Sequence, residues 1–168
     1  MTERQRDGAI DRIPLPPGVA GELRLCGKHA IGAGRFDQPD MPWTTVVCLC
    51  QRHELATRYP AYVDWLDTNP DHSIWWPIHD LGAEPVDAML PFIDELVDRV
   101  SGGERLLVHC AAGIGRAGTT AVCILVRLGV PLDEATRTVA EARSMAGPEA
   151  GSQRALVRAV ARATSPAE

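Results

Sequence analysis

The chain has almost no lysine: of its 17 basic residues only Lys28 is one, and 22 acidic residues bring the formal net charge to −5. An acidic surface of this kind is poorly suited to holding a polyanion by counterion release, which argues against nucleic acid as a partner. Long apolar runs are also missing. No stretch approaches the roughly eighteen residues that a membrane span needs, and the charged opening Met1-Thr2-Glu3-Arg4-Gln5-Arg6-Asp7 leads into no apolar signal segment. No membrane partner and a cytoplasmic location are expected. Cysteine is present in odd number, as Cys26, Cys48, Cys50, Cys110 and Cys123, in a chain without a secretion signal, so a disulfide framework is not expected. Cys48 and Cys50 alternate in an apolar strand-like run and Cys123 lies in a helical pattern. These three read as core residues, the alternative being that one of them pairs with an oxidised Cys110. No Cys/His spacing suggests zinc, and neither a metal nor a cofactor is expected.

What is present suits one globular domain: 168 residues, 45% of them hydrophobic, are enough to bury a single core without metals or disulfides. Residues 1–18, charged and then punctuated by Pro14, Pro16, Pro17 and Gly18, read as an irregular N-terminal arm, and residues 19–168 as the domain. Strand patterns fall at 22–27, 44–50, 73–77 and 105–109. A loose helical segment from Gln51 to about Leu66 is expected to break at Pro60. Val86, Met89, Leu90, Ile93, Leu96, Val97 and Val100 share one helical face, with Pro91 predicting a late start or a kink. Ala121 to Leu128 reads as a buried helix, followed by helices over about 131–143 and 152–163. This alternation predicts a three-layer α/β domain around a mainly parallel sheet of four or five strands. Ligands of such sheets lie beyond the carboxyl ends of the strands.

At one such end stands Val108-His109-Cys110-Ala111-Ala112-Gly113-Ile114-Gly115-Arg116-Ala117-Gly118-Thr119. A cysteine closes the strand, an arginine follows six residues later, and the glycines let the loop curl until its N–H groups converge on one point. The helix that begins near Arg116 adds unpaired N–H groups and the positive end of its dipole, which favour a phosphate and a thiolate. The planar fork of Arg116 suits two phosphate oxygens.

His109-Cys110-x5-Arg116 resembles the signature of the cysteine-dependent protein tyrosine phosphatase superfamily, and the surrounding chain resembles its small dual-specificity members. The resemblance implies a phosphatase-like fold and Cys110 as nucleophile of a phosphocysteine mechanism. It further implies that the amides of Ala111, Ala112, Gly113, Ile114 and Gly115 bind phosphoryl oxygens with Arg116, and that His109 orients the loop. Trp75-Trp76-Pro77-Ile78-His79-Asp80 is similar to the family's acid loop, with Asp80 as general acid and His79 its competitor, beside an apolar wall such as Trp75 or Trp76. Glu54-Leu55 is similar to the family's acidic residue after a strand. Gln153 is similar to a late glutamine that helps place the hydrolytic water. The implied substrate is a phosphoprotein carrying phosphotyrosine, with phosphoserine or phosphothreonine admitted, and the alternative is a catalytically weakened phosphopeptide-binding module. One departure stands out: the position after the signature arginine, usually serine or threonine in the family, is Ala117.

Overall fold

A computed structural model describes residues 9–165. Five strands, β1 (Asp11–Ile13), β2 (Glu22–Gly27), β3 (Thr45–Cys48), β4 (Ser73–Trp75) and β5 (Arg105–Cys110), form one sheet in the order β1-β2-β5-β3-β4. Only the β1–β2 pairing is antiparallel; the others are parallel, as their apolar composition requires. The mainly parallel α/β architecture expected from the alternation of elements is the one observed.

The helices are α1 (Lys28–Gly32), α2 (Pro60–Thr68), α3 (Val86–Ser101), α4 (Gly115–Arg127), α5 (Leu132–Ala142) and α6 (Gly151–Thr164). Strand alternation distributes the sheet residues between two apolar layers. Leu106, Val108 and Cys110 of β5, with Leu23, Leu25, Val47 and Leu49, face the larger layer, which α3, α4, α5 and α6 complete. Leu107, Val46, Cys48, Cys50 and Cys26 face the smaller layer, closed by Tyr59, Tyr62, Val63 and Leu66. Helix α4 is buried from Gly115 to Val126, which explains why it reads as apolar on every side.

Three expectations need correction. Residues 11–13 of the supposedly irregular arm form the edge strand β1, its burial alternating as Ile13 packs inward, while residues 1–8 lie outside the described residues. Pro60 opens α2 instead of breaking a longer helix, because its missing N–H costs nothing in a first turn; the segment before it holds a 3-10 turn at Arg52–Glu54. Of the two alternatives for α3 the late start is the one overturned: the helix starts at Val86 and runs through Pro91. Pro91 and Asp87 both lie on the exposed side, where water can take the carbonyl that the proline leaves without a donor. The short helix α1 carries no sequence signal of its own.

Candidate active site

The strand register brings the site together. Gly27 stands beside Cys110 and Cys48 beside His109, so the carboxyl ends of β2, β5 and β3 converge where the loop from Cys110 to Arg116 turns into α4. The turn needs glycine at Gly113: its φ is +74°, and a Cβ there would collide with the carbonyl group of Cys26. Gly118 is equally constrained, since a Cβ would meet the backbone of Gly147.

The loop is held from outside by a residue that sequence reading placed only at a helix end. Arg143, fully buried, donates from Nε to the Gly113 carbonyl at 2.8 Å and from Nη2 to the Ala112 carbonyl at 3.0 Å. Its Nη1 binds the Asp11 carboxylate at 2.8 Å and the Ala9 carbonyl at 3.0 Å. With two loop carbonyls drawn outward, the N–H sides of the same peptide units are left to face the pocket. Lys28 braces the other flank, its amide donating to the Ala111 carbonyl at 2.9 Å and its ammonium to the Glu54 carbonyl at 3.1 Å.

Cys110 is 3% exposed at the floor of this loop. Burial pushes its thiol up, against the pull of the Ala117 amide, the Arg116 guanidinium and the Gly113 amide, and the net direction is upward. Arg116 is also buried. Glu54 grips one edge of its fork, with Nη1 to Oε2 at 2.8 Å and Nη2 to Oε1 at 2.7 Å, and Nη1 also donates to the Ile78 carbonyl at 2.8 Å. Burial pushes Glu54 upward, but the Arg116 hydrogen bonds, the Gln51 amide and the guanidinium charge outweigh it and hold the carboxyl below its ordinary range. Nε of Arg116 is buried with no protein partner among the described residues. The Nε–Nη2 edge therefore remains for an oxyanion.

Asp80 reaches that edge: its Oδ1 lies 3.4 Å from Arg116 Nη2. His79 turns aside to Gln51, with Nδ1 at 3.2 Å from Oε1, so of the two candidate acids Asp80 is the one that adjoins the arginine. The apolar wall expected around Asp80 is not there. Its side chain is 70% exposed, Trp76 stacks on Phe92 in the core at 4.6 Å between centroids, and Trp75 donates to the Cys50 carbonyl.

His109 is fully buried behind the loop. Its Nδ1 lies 3.2 Å from the Cys110 carbonyl and its Nε2 2.5 Å from the Tyr62 hydroxyl, which suits loop orientation. Gln153 is buried, and its amide is already engaged. Its Oε1 accepts from the Glu149 amide at 2.8 Å and the Ala150 amide at 3.3 Å, and its Nε2 donates to Gly82 of the acid loop at 3.2 Å. It ties the acid loop to the start of α6, and the carboxylate of Glu149 lies against Gly115.

A buried thiol at a strand end, a loop braced through its carbonyls, an oriented guanidinium and a carboxylate at its free edge are groups that a cysteine-dependent phosphatase would use. Residues 38–168 match the model of the phosphatase domain described as Swiss Army Knife protein, DSP-PTPase, and the chain belongs to that family. It is 37% identical over 82 residues to human dual specificity protein phosphatase 16, covering 46% of this chain and 12% of that protein's length. Its fold is similar to kinase-associated phosphatase bearing a substitution of its catalytic-site cysteine (TM-score 0.75, 16% identity, 94% of this chain and 96% of that one). It is also similar to Tk-PTP in its active form (TM-score 0.69, 22% identity, 90% and 97%). Among the described residues no helix is long and apolar enough to cross a membrane.

Proposed function

We propose that this domain hydrolyses phosphomonoesters on phosphoproteins, phosphotyrosine first and phosphoserine or phosphothreonine as well, through a phosphocysteine. The cytoplasm is its proposed location. The observation that carries the reading is the meeting of Cys110, Arg116 and Asp80 around one loop, with Asp80 3.4 Å from the guanidinium edge that Glu54 leaves open.

In the first step the Cys110 thiolate attacks phosphorus in line, forming the S–P bond as the ester P–O bond breaks. Loop amides and Arg116 take the charge on the equatorial oxygens. Asp80 supplies the proton to the leaving oxygen, and its exposure suits a group that meets substrate at the pocket mouth. In the second step Asp80 accepts a proton from water as that water attacks phosphorus, and Cys110 departs as thiolate. Arg143 and Glu54 act at one remove, fixing the loop and the fork. The loop carries no lysine, which favours a protein substrate over a phosphoinositide.

The test is turnover of an aryl phosphate without added metal, beside Cys110→Ser. Turnover in the parent and none in the variant, with phosphate-ester binding retained, is the expected result. Activity in Cys110→Ser, or tight phosphopeptide binding by a parent that never turns over, overturns the proposal; the second outcome describes a binding module.

A further inference from the structure

Behind the catalytic loop, on the opposite face of the sheet from Cys110, the strands assemble a second group of donors that the phosphatase chemistry does not use. Cys48 pairs with His109 in the β3–β5 register. Cys50, two residues on, points to the same side, and Tyr62 of α2 closes over both. The Sγ atoms of Cys48 and Cys50 and a ring nitrogen of His109 all lie within 4.8 Å of one another, and all three residues are buried. The 58 residues between Cys50 and His109 explain why no metal-ligand spacing is visible in the sequence.

We propose that Cys48, Cys50 and His109 form a buried binding site for a thiophilic d10 cation of the zinc class, with the Tyr62 hydroxyl as fourth donor. The tautomer of His109 carries the argument. The Cys110 carbonyl can only accept, so Nδ1 bears the proton of the 3.2 Å contact between them. Nε2 is therefore the unprotonated nitrogen, and its lone pair meets the hydroxyl of Tyr62 at 2.5 Å, a residue of the same layer as Cys48 and Cys50. An imidazole that gives one N–H to a backbone carbonyl and offers the other nitrogen to a donor cluster is the arrangement found around metal-ligating histidines.

Size and charge agree. Tetrahedral zinc with sulfur at about 2.3 Å sets sulfurs about 3.8 Å apart, so donors already within 4.8 Å close on an ion by about 1 Å of side-chain adjustment. Two thiolates neutralise a divalent ion, and imidazole and phenol add no charge, so the loaded cluster is electrically neutral in a dry interior. Binding is written as two thiols losing two protons to solvent as two S–metal bonds form, with no oxidant or reductant.

The probe is cobalt(II), added without phosphate to the reduced full-length chain and then displaced by zinc in competition with a chromophoric chelator. The parent is expected to bind one cobalt with the intense visible bands of tetrahedral coordination and a charge-transfer intensity of two thiolates. Cys110→Ser is expected to keep both signals, because its sulfur faces the other layer. Cys48→Ser and Cys50→Ser are expected to weaken zinc binding by at least about a hundredfold. An octahedral spectrum or a one-thiolate intensity in the parent overturns the proposal without recourse to variants. So does a signal that vanishes in Cys110→Ser, or one that survives in Cys48→Ser and Cys50→Ser. None of these readouts depends on turnover, so the site and the phosphatase reading fail separately.

Discussion

Ala117→Ser should make this domain a faster phosphatase. The sulfur of Cys110 receives the amides of Ala117 and Gly113 and the charge of Arg116, but burial outweighs them and pushes the thiol up from its ordinary 9.0. A hydroxyl at position 117, where related signatures carry serine or threonine, would donate to the same sulfur. The nearby threonines are poor substitutes. Thr120 Oγ1 donates to the Arg116 carbonyl at 2.9 Å, and Thr119 Oγ1 is buried with no partner among the described residues. One hydrogen bond to a charged group is worth about 1.5–3 kcal/mol, which is about one to two pH units on the thiol or roughly ten- to a hundredfold in rate. The benefit should fall mainly on the second step, where sulfur leaves as thiolate. The parent should therefore show a burst on a good-leaving-group aryl phosphate as the phosphocysteine accumulates, and Ala117→Ser should shrink the burst and raise the steady-state rate. Rapid-quench measurement of both proteins, with iodoacetamide alkylation against pH, decides it. Equal bursts, equal rates and superimposable alkylation profiles would refute the reasoning.

The other perturbations divide the site by role. Asp80→Asn should slow esters with poor leaving groups far more than good ones, because only the former need a proton in the transition state; equal losses on both would move the acid elsewhere, with His79→Asn the next variant. Arg116→Lys should lower kcat/KM by more than about tenfold, since an ammonium reproduces neither the Glu54 grip nor the free Nε–Nη2 edge, and a smaller loss would show that the fork does not hold the phosphoryl group. Glu54→Gln leaves a guanidinium that is 1% exposed with only the 70% exposed Asp80 as counter-charge, at a cost of about 3 kcal/mol, the low end for breaking a buried pair, read as a lower denaturation midpoint. Glu54 is held below its ordinary 4.5, so its contribution is complete above that value and lost as pH falls through the folded pKa; the parent should lose stability on acidification in a range where Glu54→Gln does not.

The parts of the site that could be read from the sequence are those whose causes are local. A strand, a glycine-bearing loop and a helix are consecutive in the chain, so Cys110, Arg116 and the loop amides announce themselves in twelve residues. The acid loop does so too, since Pro77-Ile78-His79-Asp80 follows its own strand. What supports them is not local. Arg143 holds the Gly113 carbonyl from 30 residues away and Asp11 from 132, and no pattern in a single sequence marks an arginine whose partners are backbone carbonyls. Strand β1 leaves no mark in the sequence because it is only three residues long and lies beside prolines, where propensity gives little signal and pairing to β2 decides.

The pairing that hid these residues also explains how the two faces of the sheet work on one strand. His109 and Cys110 are adjacent and point to opposite layers, yet Nδ1 of the histidine reaches the Cys110 carbonyl, in the peptide unit that joins Cys110 to Ala111. Anything that fixes the imidazole, whether the Tyr62 hydroxyl or a cation held with Cys48 and Cys50, thereby fixes the carbonyl of Cys110 and the entry of the loop that follows. Arg143 fixes the middle of that loop through Ala112 and Gly113, and Glu54 fixes the arginine at its end. The loop is thus pinned at its start, middle and end by three side chains from three separate segments of the chain. Its amides can then be aimed before substrate arrives, which is what stabilising a phosphoryl transition state requires.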